Sequence, residues 1–69
     1  MKSIEIKNIL AAFAAEHDDS IINAVIEIEK DAAGITASCT TENYHYVVFF
    51  AMINGIRTPE EDYYQAFAG

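Results

Sequence analysis

Four hydrophobic residues near the start of the chain share one helical face. Ile6, Ile9, Leu10 and Phe13 stand at i, i+3, i+4 and i+7, the spacing of an amphipathic helix. Alanines at 11, 12, 14 and 15 favour the same state. A helix is therefore expected over 4–16, ended by His17-Asp18-Asp19-Ser20. Ser3–Lys7 would also fit a short strand, but the longer helical pattern outweighs it. From Ile22 the period changes to two. Ile22, Ala24, Ile26 and Ile28 alternate with Asn23, Val25, Glu27 and Glu29, which predicts a half-buried strand over 22–30. Asp31-Ala32-Ala33-Gly34 reads as a turn. Ile35, Ala37 and Cys39 then alternate with Thr36, Ser38 and Thr40 as a second strand. Glu42-Asn43 is a two-residue turn candidate. Tyr44–Ile53, rich in β-branched and aromatic residues, is a third strand. Asn54-Gly55 is a hairpin signal, and Ile56-Arg57 adds a short fourth strand.

The last segment opens Thr58-Pro59-Glu60-Glu61. Thr58 can cap, proline suits the first helical position, and Glu61 completes a capping box. A helix over 59–67 is expected, with Tyr63, Tyr64 and Phe67 as its large apolar residues. The expected fold is α+β: a three-stranded antiparallel β-meander flanked by an N-terminal and a C-terminal helix, α-β-β-β-α.

Strand register follows from the turns. Lys30 should pair with Ile35, Ile28 with Ala37 and Ile26 with Cys39. The second turn should pair Cys39 with Tyr46 and Ala37 with Val48. A one-residue slip would mix polar and apolar faces. One face is then apolar throughout, and the first helix should cover it. The opposite face is polar on the first two strands but carries His45, Val47, Phe49, Ala51 and Ile53 on the third. Val47, Phe49 and Ile53 are therefore a possible apolar interface, to be covered by the C-terminal helix or by another chain.

Size and charge narrow the function. Residues 1–69 make one domain. A chain this small buries only about 60% of its unfolded surface, and one cysteine rules out an internal disulfide. Good packing or a partner must supply the rest, and the chain is read as a monomer or homodimer. Eleven acidic residues against four Lys and Arg give a net charge of −7, with a pI near 4.4. Such a chain is repelled by nucleic acid and by anionic membranes. Hydrophobic residues at 52% are too many for a disordered acidic tail. The segment after Met1-Lys2-Ser3 is amphipathic, not the apolar core of a signal peptide. The longest apolar run, Tyr46–Ile53, is far short of the ~18 residues of a membrane span. A cytoplasmic location is expected.

Candidate chemistry is sparse. Cys39 with His17 or His45 would make a thiol–imidazole pair, but a reactive thiol needs an electropositive, partly exposed setting. Cys39 falls on the apolar face and reads as a small buried hydrophobe. His17-Asp18-Asp19 offers metal-ligand types, yet adjacent residues rarely converge on one ion and no spaced motif completes the set. Tyr44-His45-Tyr46 has the look of a base-stacking platform but lacks the basic groove such platforms need. Neither cofactor nor metal is expected, and catalysis is not. The acids remain, clustered as Glu16/Asp18/Asp19, Glu27/Glu29/Asp31 and Glu60/Glu61/Asp62. Glu27 and Glu29 project from one strand face about 6.8 Å apart, two phosphate steps of a DNA strand at ~3.4 Å each.

A short, acidic α/β chain without a catalytic constellation resembles the small anti-CRISPR proteins of phages and mobile elements. The resemblance covers the whole chain in size, charge and makeup, and rests on Glu27, Glu29, Asp31 and Glu60, Glu61, Asp62. It implies an inhibitor in the host bacterial cytoplasm that binds a basic, DNA-binding CRISPR effector subunit. A type I (Cascade) effector is the first target it implies, blocked by an acidic surface that mimics DNA. Two other classes stand beside it. One is an antitoxin-like or other regulatory protein for a basic partner. The other is a homodimeric structural domain closing on the Val47/Phe49/Ile53 stripe.

Overall fold

The alanine-rich amphipathic segment forms helix α1, Ser3–Ala15, with Ile6, Leu10 and Ala14 on its buried stripe. In this computed structural model, which describes residues 2–69, the helix ends in a Schellman turn. Asp19 N–H donates to the Ala14 carbonyl at 3.0 Å and Asp18 N–H to Ala15 at 3.1 Å. Asp18 takes φ +54°, a left-handed position that Asp tolerates better than most residues.

After an irregular segment over 16–26, five strands form an antiparallel sheet: β1 Glu27–Lys30, β2 Gly34–Thr40, β3 Tyr44–Ile53, β4 Ile56–Arg57 and β5 Tyr63–Ala68. β1, β2 and β3 run in order, and both β4 and β5 pair with the far edge of β3. The fold is thus α+β, with one α-helix among the described residues. The registers agree with those expected from the turns: Lys30↔Ile35 and Ile28↔Ala37 across the first pair, Cys39↔Tyr46 and Ala37↔Val48 across the second. Each turn has its own chemistry. Asp31 Oδ1 accepts the Ala33 and Gly34 N–H groups at 2.8 and 3.1 Å. Asn54 and Gly55 take φ +54° and +78°, as a tight primed hairpin turn requires.

α1 packs on one face of the sheet. Leu10, Ala14, Ala37, Tyr46, Val48 and Phe50 are all fully buried between them, with Ile26 packed against the cluster. Close approach of β2 to β3 depends on Gly34. A Cβ there would stand 2.3 Å from the Phe50 carbonyl oxygen and 2.9 Å from the Phe49 ring. Gly34→Ala is expected to lose about 1–3 kcal/mol through overpacking. Urea unfolding measures this, and an unchanged midpoint would mean the strands part there without cost.

Two expected elements differ. The C-terminal helix over 59–67 is absent: Pro59–Glu61 makes a single 3-10 turn, and Tyr63–Ala68 is strand β5. The capping box does not form, since Thr58 makes no side-chain cap and its hydroxyl is buried without a partner. A nine-residue helix is marginal by itself. Without β5, half the backbone groups of β3 would lack partners. Aromatic Tyr63, Tyr64 and Phe67 suit a strand equally well. The first strand is also shorter than the alternation over 22–30 suggested. Thr41–Tyr44 is a turn, with Thr41 N–H donating to the Tyr44 carbonyl at 2.8 Å, so Ile22 and Asn23 have no strand to pair with. Instead Ile21 plugs the core, while Ile22 and Val25 are 81% and 79% exposed.

Candidate functional site

The sheet face turned away from α1 is the candidate site. Cross-strand register builds it in rows. Glu29, Thr36, Phe49 and Tyr63 form one; Glu27, Ser38, Val47 and Gln65 the next; Thr40, His45 and Phe67 the third. Residues directly opposite in antiparallel strands project to the same face. Acids therefore line one edge, hydroxyls the middle and aromatic rings the other edge. Among the described residues no helix or loop lies across the aromatic half. Tyr63 and Phe67 are about half exposed (49% and 51%), while Val47 and Phe49 are partly shielded by neighbours in the sheet. Phe49 stacks on Tyr63 with centroids 5.5 Å apart, and His45 on Phe67 at 6.4 Å. The Thr40 hydroxyl lies 2.8 Å from His45 Nδ1. A shallow groove of about 340 Å³ borders this third row, between Asn23–Val25 and Ser38–Thr40.

The apolar stripe expected from the third strand is thus covered by no helix. β5 shields it edge-on, through ring stacking. Ala51 is buried, and Ile53 lies 50% exposed next to the hairpin turn.

The acids do not form one surface. Glu27, Glu29 and Asp31 are exposed along β1 and its turn. Glu60 and Glu61 are exposed in the 3-10 turn, on the opposite side of the sheet, about three strand spacings or roughly 14 Å from β1. Asp62 is withdrawn from solvent. Its side chain is 7% exposed and binds the Arg57 guanidinium through both oxygens, at 2.7 and 2.5 Å. Oδ1 also accepts the Ala51 N–H at 2.9 Å, and Arg57 lies over the Phe50 ring, 5.1 Å from its centroid. Asp62 therefore closes the ladder where the 3-10 turn pulls the backbone away from β3.

Asp19, like Asp31 and Asp62, has a structural role. It accepts the Thr41 and Tyr46 hydroxyls on Oδ2 at 2.6 and 2.7 Å, and the Ser20 N–H on Oδ1 at 2.8 Å. The Thr41 hydroxyl first, then that of Tyr46, hold its pKa at about 2 against an ordinary 3.8, outweighing the upward push of burial. The Tyr46 phenol is pushed far up by burial and then by this carboxylate. A depressed folded pKa gives stability that is complete above the unfolded value and disappears as pH falls through the folded one. Asp19→Asn should therefore lower the melting temperature by several degrees near neutral pH. The gap should shrink below about pH 4 and close only below about pH 2. Melting curves of both forms across that range check it; a gap that ignores pH would assign Asp19 no charge-dependent role.

No family model, curated protein or solved structure matches this chain.

Cys39 is buried on the helix-covered face. Burial, and then the Asp19 charge, push its thiol pKa up, which disfavours the nucleophilic thiolate. His45 stands on the other side of the sheet, and His17 packs against the Phe13 and Tyr44 rings at 5.3 and 5.2 Å. Among the described residues no three His, Cys, Asp or Glu side chains gather to hold a metal ion. No helix of the described chain is long and apolar enough to cross a membrane. Tyr63, Gln65 and Phe67 reach this face only because their segment is a strand and not the expected helix. Their alternation with Tyr64, Ala66 and Ala68 was the available signal.

Proposed function

We propose that this protein is an inhibitor that docks the open face of its sheet onto a basic, nucleic-acid-handling protein and blocks it. A CRISPR effector subunit of type I is the partner class to be tested first, following the resemblance carried by Glu27, Glu29 and Asp31. One observation carries the reading: the register sets Glu27 and Glu29 on the same uncovered face as Val47, Phe49, Tyr63 and Phe67. The acidic row and the apolar stripe are two halves of one surface. Charged edges steer a basic partner and set its register, while desolvated aromatic anchors supply much of the affinity.

Charge favours a basic partner over nucleic acid. Lys2 and Lys7 belong to the helical end, Arg57 is held by Asp62, and Lys30 pairs with Ile35 on the helix-covered side. Among the described residues the open face therefore carries no Lys or Arg. The acidic contribution comes from the β1 edge alone, because Glu60 and Glu61 lie across the sheet and Asp62 is neutralised. Binding to purified effector complexes, measured at two salt concentrations with and without target DNA, tests the reading. Competition with DNA and loss of affinity in salt are expected. Tight binding that ignores both would defeat the mimicry.

A further inference from the structure

We propose that β5 is a pairing edge for a second copy of this chain, joined antiparallel about a two-fold axis at Ala66 to give one continuous sheet. The hydrogen-bond phase of the strand comes first. Gly69 N–H donates to the Asn43 carbonyl at 2.8 Å, and His45↔Phe67, Val47↔Gln65 and Phe49↔Tyr63 follow at two-residue steps. In an antiparallel ladder such alternate pairs exchange both backbone bonds. Tyr63, Gln65 and Phe67 thus turn their backbone groups to β3. Tyr64, Ala66 and Ala68 turn theirs outward, where among the described residues no strand pairs with them.

The two sheet edges are built differently. β1 carries Glu27, Glu29 and Lys30 in four residues, the kind of charged, short edge that resists pairing. β5 reads Tyr-Tyr-Gln-Ala-Phe-Ala, with no charge, proline or bulge to prevent it. Tyr63, Tyr64 and Phe67 are 49%, 45% and 51% exposed.

A second copy fits this edge in charge and in shape. With Ala66 opposite its symmetry mate, Tyr64 faces Ala68 of the second copy, so a large ring meets a methyl group. The outward groups then make about six backbone hydrogen bonds across the seam. A basic partner would find no acid along β5. The Glu27 and Glu29 rows of the two copies end up roughly 30 Å apart at ~4.8 Å per strand, beyond the ~8 Å screening length. Asp62, the acid nearest that edge, is held by Arg57, and Glu60 and Glu61 lie further back in the 3-10 turn. Half-exposed rings of ~150–250 Å² each leave roughly 300 Å² of aromatic surface per copy. Edge pairing covers only the flanks of these rings and the backbone between them, so the seam stays below about 1,000 Å² in total, the class of weak, transient pairing. Facing residues stay on one side, so both open faces line up on one surface.

Sedimentation equilibrium of the purified chain tests this. Expected is a monomer–dimer equilibrium in the micromolar to high-micromolar range, tightened as salt is raised from about 0.01 M, where the screening length is ~30 Å and the like-charged copies still repel, to about 0.15 M. Salt should act in the opposite sense on the proposed basic partner, so the two readings fail separately. Ala66→Pro removes an outward N–H and leaves the β3 ladder intact, and Gln65→Lys charges the edge. Each should weaken the dimer at least about tenfold with circular dichroism unchanged. Amide exchange of the unaltered chain gives a readout independent of any variant: Tyr64, Ala66 and Ala68 should gain protection on concentration. A strict monomer at millimolar concentration, or a dimer without that protection, would overturn the proposal.

Discussion

Asp62→Ala is expected to lose about 3 kcal/mol of folding stability, the largest effect of any carboxylate-to-alanine change at a proposed interface position. Three groups lose their partner at once: the Ala51 N–H and both Arg57 nitrogens. Removing one member of a shielded ion pair strands the other, and that penalty exceeds the small value of an exposed pair. Arg57 is 29% exposed and recovers some hydration, which keeps the loss at the lower end of the range. The chain can spare little, since 69 residues support a total of only about 3–10 kcal/mol. Asp62→Asn keeps an acceptor for Ala51 and should lose about half as much. Glu60→Ala and Glu61→Ala, exposed and free of any side-chain cap from Thr58, should stay within about 0.5 kcal/mol. Urea unfolding of the four variants decides the matter. If Asp62→Ala unfolds no earlier than Glu60→Ala, the carboxylate does not hold the ladder together.

Charge reversal at Glu27 and Glu29 should weaken binding to a basic partner at least about tenfold, because repulsive pairs replace attractive ones. Both side chains are exposed on an edge strand, where lysine is well tolerated, so the fold should persist. Reversal of exposed Glu5 on α1 is the matched control, since it lies away from the open face. Raising salt should narrow the difference between the unaltered and reversed forms. Asp62 is unsuitable as a probe, because its loss unfolds the site it would report on. Equal affinity of the reversed and unaltered chains, together with collapse of binding in Phe49→Ala, would place the interface on the aromatic half alone.

Three aspartates hold backbone or side-chain donors, and two of them, Asp19 and Asp62, do so across the fold where Asp31 serves only its own turn. Asp19 and Asp62 sit in acidic runs of the sequence, the second of which reads as part of a DNA-mimicking surface. Their partners, Tyr46 and Ala51 among them, are remote in sequence or reached only through a turn. Nothing in a linear charge pattern distinguishes a free carboxylate from one committed to a backbone N–H across a sheet.

Local pattern alone determined a good deal. The helical spacing of Ile6, Ile9, Leu10 and Phe13 identifies α1, with Ile6 and Leu10 buried and Ile9 and Phe13 packed beside them. The period-two alternation and the turn residues Asp31 and Asn54-Gly55 specify three strands and their register, because a slip by one residue would turn every side chain to the wrong face. Those signals depend on neighbours within a few positions, so they are visible in the chain itself. Tertiary structure decided the rest. Residues 59–68 have a helix-start motif and a strand-like aromatic run, and the free edge of β3 selected the strand. The alternation from Ile22 failed where the facing chain turned at Thr41. The union of Glu27 and Glu29 with Phe49 and Tyr63 on one face needed the pairing order of four strands. Sheet pairing is non-local: a strand's state, and the face its side chains share, depend on partners that only the folded chain brings together.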